Sequence, residues 1–234
     1  MIRTLPLPLL LAIAIPSGAR EPSLPLDVAP LTPSADAIEP PEREIVDPEG
    51  LLDRFDSRLE RLASFKCDFT QINNYAAVAF ADTFSGRLYA RMPADFILRY
   101  SDPPGQFIRS DGLVLSMYVP ENQQMVEGVI YRDSDDMNFF KLLRSYIGRS
   151  DAIVSKRAES AEARRVVLRP LDGSTLRELR IDLDTKILLP TRVEIVDENR
   201  NVSSYRLDSA EVDRTLDDEI FSPPLPDSVE IIRQ

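Results

Sequence analysis

The sequence lacks histidine and tryptophan, and it contains one cysteine and eight glycines in 234 residues. Without histidine there is no Ser-His-Asp or Cys-His catalysis, no imidazole acid–base chemistry and none of the common zinc sites. The few glycines form neither a G-x-G-x-x-G run nor a Walker loop, which argues against nucleotide enzymes. The single cysteine, Cys67, has no partner for an internal disulfide. Its place between Phe65 and Phe69 on an apolar strand face predicts a buried, unreactive thiol.

The charged residues argue against further classes of function. The chain has 39 acidic and 28 basic residues and a net charge of −11, so it repels phosphate backbones and argues against a nucleic-acid partner. Acidic clusters occur at residues 133–136 and 217–219, but neither follows the calcium-loop pattern. Helix capping and a solvated turn explain them, whereas a carboxylate glycosidase would need two carboxylates facing one cleft. We therefore predict that the protein is not an enzyme and needs no cofactor or metal.

The N-terminal region predicts secretion. A basic start at Arg3 precedes an apolar run over residues 5–15 that is too short to span a bilayer, and small residues follow at 17–19. We interpret residues 1–19 as a signal peptide. An uncleaved membrane anchor is the alternative, but three prolines in or beside the run make it a poor permanent transmembrane helix.

The next segment, residues 20–50, is rich in Pro, Ala, Asp and Glu and has no sustained apolar period. Such a segment buries too little apolar surface to offset its ordering entropy, which predicts a disordered tether. It serves either as a solvated spacer or as a docking tail for a basic partner. Residues 51–234 are then one domain with a single core.

Periodicity in that domain predicts a mainly β fold with a few α-helices. An amphipathic helix begins at Leu51, after the acidic start at Asp47, and a strand over residues 65–71 follows it. Residues 133–136 cap a second amphipathic helix, and short antiparallel strands continue to Val212. The helices must cover one face of the sheet or sit inside its curl, and only the second arrangement makes a cavity. Periodicity alone leaves both open.

The segment between residues 85 and 118 carries the most specific pattern. It reads G-x-L-x-x-x-x-P-x-x-F, then an aromatic residue followed by Pro, then a strand that ends in Asp-Gly and another that reaches a Tyr. This pattern resembles the core of the LolA family of periplasmic lipoprotein carriers. The matching positions are Gly86, Leu88, Pro93, Phe96, Tyr100, Pro103 or Pro104, Asp111, Gly112 and Tyr118. Residues 65–71 and 217–229 are similar to the family's first strand and closing segment, so the resemblance covers about residues 50–232.

The resemblance implies a curved antiparallel sheet that forms an incomplete barrel, with the amphipathic helices as its lid. It also implies a periplasmic carrier that shields the acyl chains of lipid-anchored proteins between the inner and outer membranes. Its partners would be an inner-membrane ABC-type release complex and an outer-membrane receptor. We expect a monomer. The alternatives are a sensor or regulatory binding module of the same architecture and a carrier of another apolar ligand.

One position departs from the family pattern. The family has an Arg directly before the motif proline, where it bonds to the lid and holds the empty carrier closed. Here Met92 occupies that position, and Arg91, one residue earlier, faces the opposite side of a regular strand. Only a one-residue bulge would bring Arg91 inward. Arg91 and Met92 are therefore the candidate gating residues.

The candidate lipid site is apolar. We expect inward positions of the early strands and of the second helix to line it, because acyl chains require apolar contact and no catalytic group. Alternatively, these residues are simply core. They are Phe69, Leu88, Ala90, Met92, Phe96, Leu98, Met117, Phe140 and Leu143.

Overall fold

The computed structural model describes residue 47 and residues 50–78, 80–129, 140, 143–144, 146–147, 150–155, 162–170 and 176–233. The predicted signal peptide, most of the predicted tether and the predicted cap of the second helix lie outside these residues. The division into signal peptide, tether and carrier domain therefore stays a prediction.

Helix α1 spans Leu51–Glu60 and is amphipathic. Its start is fixed by Asp47, whose carboxylate accepts hydrogen bonds from the backbone N–H groups of Leu51 (2.5 Å) and Leu52 (2.9 Å). These bonds satisfy donors that a helix start leaves unpaired. The helix buries every fourth residue against the sheet: Leu51, Phe55 and Leu59. A second helical segment is described at five residues: Phe140, Leu143, Arg144, Tyr146 and Ile147.

Twelve strands form one sheet in the order β12-β6-β5-β4-β3-β2-β1-β11-β10-β9-β8-β7. All neighbours pair antiparallel except β12, which runs parallel to β6. The strands are β1 Ser64–Tyr75, β2 Phe80–Arg91, β3 Asp95–Asp102, β4 Phe107–Ser110, β5 Val114–Val119, β6 Gln124–Val129, β7 Ser150–Ser155, β8 Ala163–Pro170, β9 Leu176–Asp184, β10 Leu189–Asp197, β11 Val202–Val212 and β12 Glu230–Arg233. The edges, β7 and β12, are not paired with each other, so the barrel is incomplete. The predicted half-barrel with helices over it is confirmed.

The two faces of the sheet are covered differently. The inner face, which carries Phe65, Cys67 and Phe69 of β1, packs against α1 and the second helical segment in one large apolar cluster. A smaller cluster lies on the outer face, where Phe221 packs against sheet residues Ile97, Phe107, Tyr118 and Met125. Phe221 belongs to residues 216–229, the C-terminal strap, which crosses the outer face before β12 joins the edge.

Beyond the strap, ion pairs replace apolar contacts on the outer face. Arg165 of β8 donates two hydrogen bonds of 2.7 Å to Asp182 of β9, which is 2% exposed. Arg180 and Arg192 both contact Glu194 of β10, at 3.3 and 3.2 Å. The hydrogen bonds to Asp182 raise the pKa of Arg165, although partial burial opposes the shift. Charged side chains thus cover this half of the outer face, and the large apolar surface lies inside.

The Asp-Gly pair of the sequence motif makes the predicted hairpin turn between β4 and β5. Asp111 Oδ1 accepts hydrogen bonds from the backbone N–H groups of Leu113 (2.8 Å) and Val114 (2.9 Å). Gly112 has a φ of +86°, and a Cβ there would lie 2.5 Å from the Cβ of Ala94 in the neighbouring turn. Both the backbone angle and the neighbouring turn therefore require glycine.

Two boundaries differ from the sequence-based expectation. Strand β1 continues to Tyr75, because its backbone pairing with β2 and β11 continues beyond Gln71. The sequence pattern ended the strand at Gln71, since its inward positions are polar from there on. Strand β12 was not predicted, because a short parallel edge strand of four residues has no distinctive period. The strap corresponds to the segment that resembles the family's closing segment, but its course over the outer face was not predicted.

Candidate lipid-binding face

The structure brings the nine predicted site residues together. Eight of them are buried in the inner cluster: Phe69, Leu88, Ala90, Phe96, Leu98, Met117, Phe140 and Leu143. The ninth, Met92, is partly buried and packs against the same cluster. These residues come from four strands, the turn after β2 and the second helical segment. The strand residues share a face because alternate positions of each strand point to one side. Their role as ligand contacts remains a prediction.

Aromatic contacts join the helical cover to the sheet. The rings of Phe65 on β1 and Phe140 on the second helical segment meet edge to face, with centroids 4.8 Å apart. Further along β1, Phe69 meets Tyr100 of β3 edge to face at 5.3 Å. Edge-to-face pairs add to the energy of burial without any covalent link. The contact between Phe65 and Phe140, together with apolar packing, thus holds the second helical segment against the sheet.

Cys67 lies in this cluster and is 1% exposed. Burial raises the pKa of its thiol, and the carboxylates of Asp68 and Asp208 raise it further. A thiol held in its protonated form is a poor nucleophile.

The gating candidates separate onto opposite faces. Met92 is on the inner side, and its backbone N–H donates to the carbonyl of Ala63 at 2.9 Å. Arg91 is on the outer face, where it bonds to Asp95 (Nη2–Oδ2 2.7 Å) and Asp218 (Nη1–Oδ1 2.6 Å). Its guanidinium also lies 4.8 Å from the ring centroid of Phe221.

The register explains this separation. The pairing of β2 with β1 is regular throughout, and its one irregularity with β3 is at Ser85 and Gly86, far from Arg91. The bulge that would turn Arg91 inward is therefore not present in these pairings. Arg91 points away from the helices and anchors the C-terminal strap, so the predicted lid role does not fit its position.

A polar pocket of about 430 Å³ lies beside Arg91, between the outer face and the strap. Its lining includes two guanidinium groups and several carboxylates, and Arg109 donates to the carbonyl of Phe221 at 3.2 Å. The pocket does not contain any of the nine predicted lipid-site residues. Within the described residues no cluster of acidic or cysteine side chains is arranged to hold a metal ion.

Sequence reasoning missed a polar group on the inner face. Gln71 and Asn73 of β1 are 0% and 2% exposed, and Tyr100 of β3 donates its hydroxyl to Gln71 Oε1 at 2.9 Å. Burial raises the pKa of Tyr100. The signal was present in the sequence, because residues 71, 73 and 75 continue the period-two alternation of residues 65, 67 and 69 without a charged side chain.

These features define a half-barrel with a helix-covered apolar face. The chain belongs to the LolA family, since the family model described as outer membrane lipoprotein carrier protein LolA matches residues 60–224. No functionally curated protein matches the sequence. No helix in the described part of the chain has the length and apolar character to cross a bilayer.

Several solved structures are similar to this chain at low sequence identity. An uncharacterized conserved protein from Thermus thermophilus is 14% identical with a TM-score of 0.52, covering 79% of this chain and 97% of that one. A LolA superfamily protein from Nitrosomonas europaea is 14% identical with a TM-score of 0.42, covering 74% and 96%. The structure of the MucA/MucB complex of Pseudomonas aeruginosa includes a chain that is 12% identical with a TM-score of 0.44. The match covers 73% of this chain and 59% of that one.

Proposed function

We propose that the protein is a periplasmic carrier that binds the acyl chains of lipid-anchored proteins on its inner face and moves them from the inner to the outer membrane. The observation that carries this proposal is the convergence of the predicted site residues in one apolar cluster beneath two helical segments. Membership of the LolA family supports it.

The chemistry of the face suits an acyl chain. Each methylene removed from water contributes about 0.8 kcal/mol, so a chain gains affinity by length without any directional contact. Met92 and Met117 add flexible side chains that adapt to different chain shapes. Binding of this kind requires no catalytic group, metal or cofactor.

The proposal also implies a cellular compartment and partner proteins for this chain. The signal-peptide pattern of residues 1–19 supports export to the periplasm of a Gram-negative cell. An inner-membrane ABC-type complex would load the carrier and an outer-membrane receptor would unload it, as the family resemblance implies.

Native mass spectrometry of protein purified from periplasm tests the proposal. We expect a polypeptide cleaved after Ala19 that carries an acylated protein or an acyl lipid. Recovery of the bare polypeptide alone, together with no binding of an acylated peptide in vitro, contradicts it.

The position of Arg91 favours a second candidate, a sensor module that binds a lipid or peptide and reports to a membrane partner. The family's closing Arg is replaced by Met92, and Arg91 is bonded on the outer face, so closure has no such lock. Transfer of bound lipid from the protein to acceptor vesicles distinguishes the two, because a carrier releases its ligand and a sensor retains it while binding its partner.

A further inference from the structure

The inner face of β1 changes character along its length. Its first three inward residues, Phe65, Cys67 and Phe69, are apolar and buried. The next three inward residues, Gln71, Asn73 and Tyr75, are polar, and the first two are also buried. A single strand therefore presents an apolar half and a polar half to the same side of the sheet. This surface is complementary to an amphipathic ligand, which has an apolar part and a polar part.

The polar half is organised as a chain of hydrogen bonds. Tyr100 donates to Gln71 Oε1 at 2.9 Å, and Gln71 Nε2 donates to Asn73 Oδ1 at 3.0 Å. Gln71 thus accepts from Tyr100 and donates to Asn73, so both amides direct their oxygen atoms toward the apolar half of the strand. The chain terminates at the Asn73 amide nitrogen.

That nitrogen is buried and has no hydrogen-bond partner among the described residues. Burial and Asp82 raise the pKa of Tyr75, and the side chain of Asn73 lowers it by hydrogen bonding. The Asn73 amide nitrogen carries two N–H groups, so the neighbouring hydroxyl cannot satisfy both of them. A buried donor without an acceptor is unfavourable, and native proteins contain few of them. An N–H group of Asn73 is thus available to an acceptor on a ligand.

We propose that Asn73 Nδ2 donates a hydrogen bond to the carbonyl oxygen of an acyl ester or acyl amide whose hydrocarbon tail lies on the apolar half of the inner face. This inference rests on the proposed function and adds a recognition element to it. The geometry carries it, since Asn73 is four residues from Phe69 on the same face of the same strand.

The charges around Asn73 favour a neutral carbonyl over a phosphate. Its cross-strand neighbours are Asp82 on β2 and Ser203 on β11. A carboxylate beside the donor repels an anionic group, while a carbonyl oxygen accepts from the amide without a net charge. The expected ligand is therefore an acylated molecule that presents an uncharged ester or amide at the end of its chain.

The test compares two probes of equal length, a pyrene-labelled long-chain methyl ester and the corresponding ether, which lacks the carbonyl. We expect the wild-type protein to bind the ester roughly three- to tenfold more tightly, as one neutral hydrogen bond allows. Asn73→Leu should bring the two affinities together by weakening ester binding. Asn74→Leu is the matched control, because Asn74 is exposed on the opposite face, and it should keep the wild-type ratio.

Equal binding of ester and ether by the wild-type protein overturns the inference and leaves the proposed function standing. An unchanged ratio in folded Asn73→Leu protein also overturns it. Failure of both probes to bind contradicts the inference and the proposed function together. If Asn73→Leu does not fold, Asn73→Asp replaces the donor by an acceptor of the same size and must likewise lose the ester preference.

Discussion

Arg144 of the second helical segment donates two hydrogen bonds to the carboxylate of Asp56 on α1, Nε to Oδ1 at 2.7 Å and Nη2 to Oδ2 at 3.2 Å. The pair links the two helical segments above the inner face. Hydrogen bonding to Asp56 raises the pKa of Arg144, so the guanidinium stays charged throughout the accessible pH range.

This pair predicts control of opening rather than of folding. Both side chains are about one-third exposed, so Asp56→Asn should reduce the free energy of unfolding by only about 0.2–1 kcal/mol. Uptake of a fluorescent acylated peptide should become faster, because the open arrangement is less disfavoured. Stopped-flow fluorescence measures the rate. Asp53→Asn, in the same helix but outside this pair, is the control and should leave it unchanged.

Gly86, the glycine of the family motif, has a packing role that can be tested. A Cβ at this position would lie 2.1 Å from the carbonyl oxygen of Arg99 on β3, whereas a Cβ at Gly128 in β6 would meet nothing within 4 Å. Gly86→Ala should therefore lower the free energy of unfolding by about 1–3 kcal/mol, and Gly128→Ala should be close to neutral. Urea denaturation of both variants checks the difference. Equal effects would contradict the role assigned to the close approach of β2 and β3.

Asp213 predicts a dependence of stability on pH. Its carboxylate accepts a hydrogen bond from the backbone N–H of Ala63 at 2.9 Å and contacts Arg58 at 3.4 Å, and the bond from Ala63, with Arg58, lowers its pKa below the usual 3.8. A carboxylate with a lowered folded-state pKa stabilises the fold above its unfolded pKa and loses that contribution as pH falls through the folded value.

The wild-type protein should therefore lose part of its stability as the pH falls from about 4 through the lowered pKa of Asp213. Asp213→Asn should be less stable than wild type at pH 7 and should show a smaller loss over that acid range. Thermal unfolding at pH 7 and below pH 4 measures both. A variant whose loss on acidification equals that of the wild type shows that Asp213 does not contribute.

Much of the fold was readable from sequence, because strand alternation is a local property. Leu88, Ala90, Phe96 and Leu98 were assigned to the inner face by period two, and they lie there. The same two-residue alternation places Arg91 on the outer face. Alternation along a strand does not predict contacts between distant segments. The hydrogen bond from Arg91 to Asp218 joins residues 127 positions apart, and no local pattern predicts it.

The polar half of β1 shows a different limit. Asn73 is buried although asparagine is usually found at the surface, so a hydrophobic pattern ends the strand too early. Position alone, at two-residue steps from Phe69, identifies its face. Its burial depends on the surrounding strands, which only the three-dimensional structure supplies.

The most direct test of the central claim compares two phenylalanines on opposite faces. Phe140 is buried against the inner face and Phe107 in the outer cluster. Truncating a core phenylalanine costs on the order of 3–5 kcal/mol, and we expect Phe107→Ala to do so. We expect Phe140→Ala to destabilise the ligand-free protein as well, because its ring is buried, and in addition to lower the affinity for an acylated peptide by about tenfold or more.

The measurement is a fluorescence titration of that peptide into each variant, paired with chemical denaturation so that only folded protein is compared. We expect weakened binding by Phe140→Ala and wild-type affinity for Phe107→Ala. Affinity of folded Phe140→Ala equal to that of Phe107→Ala and of the wild type would contradict a lipid site on the inner face.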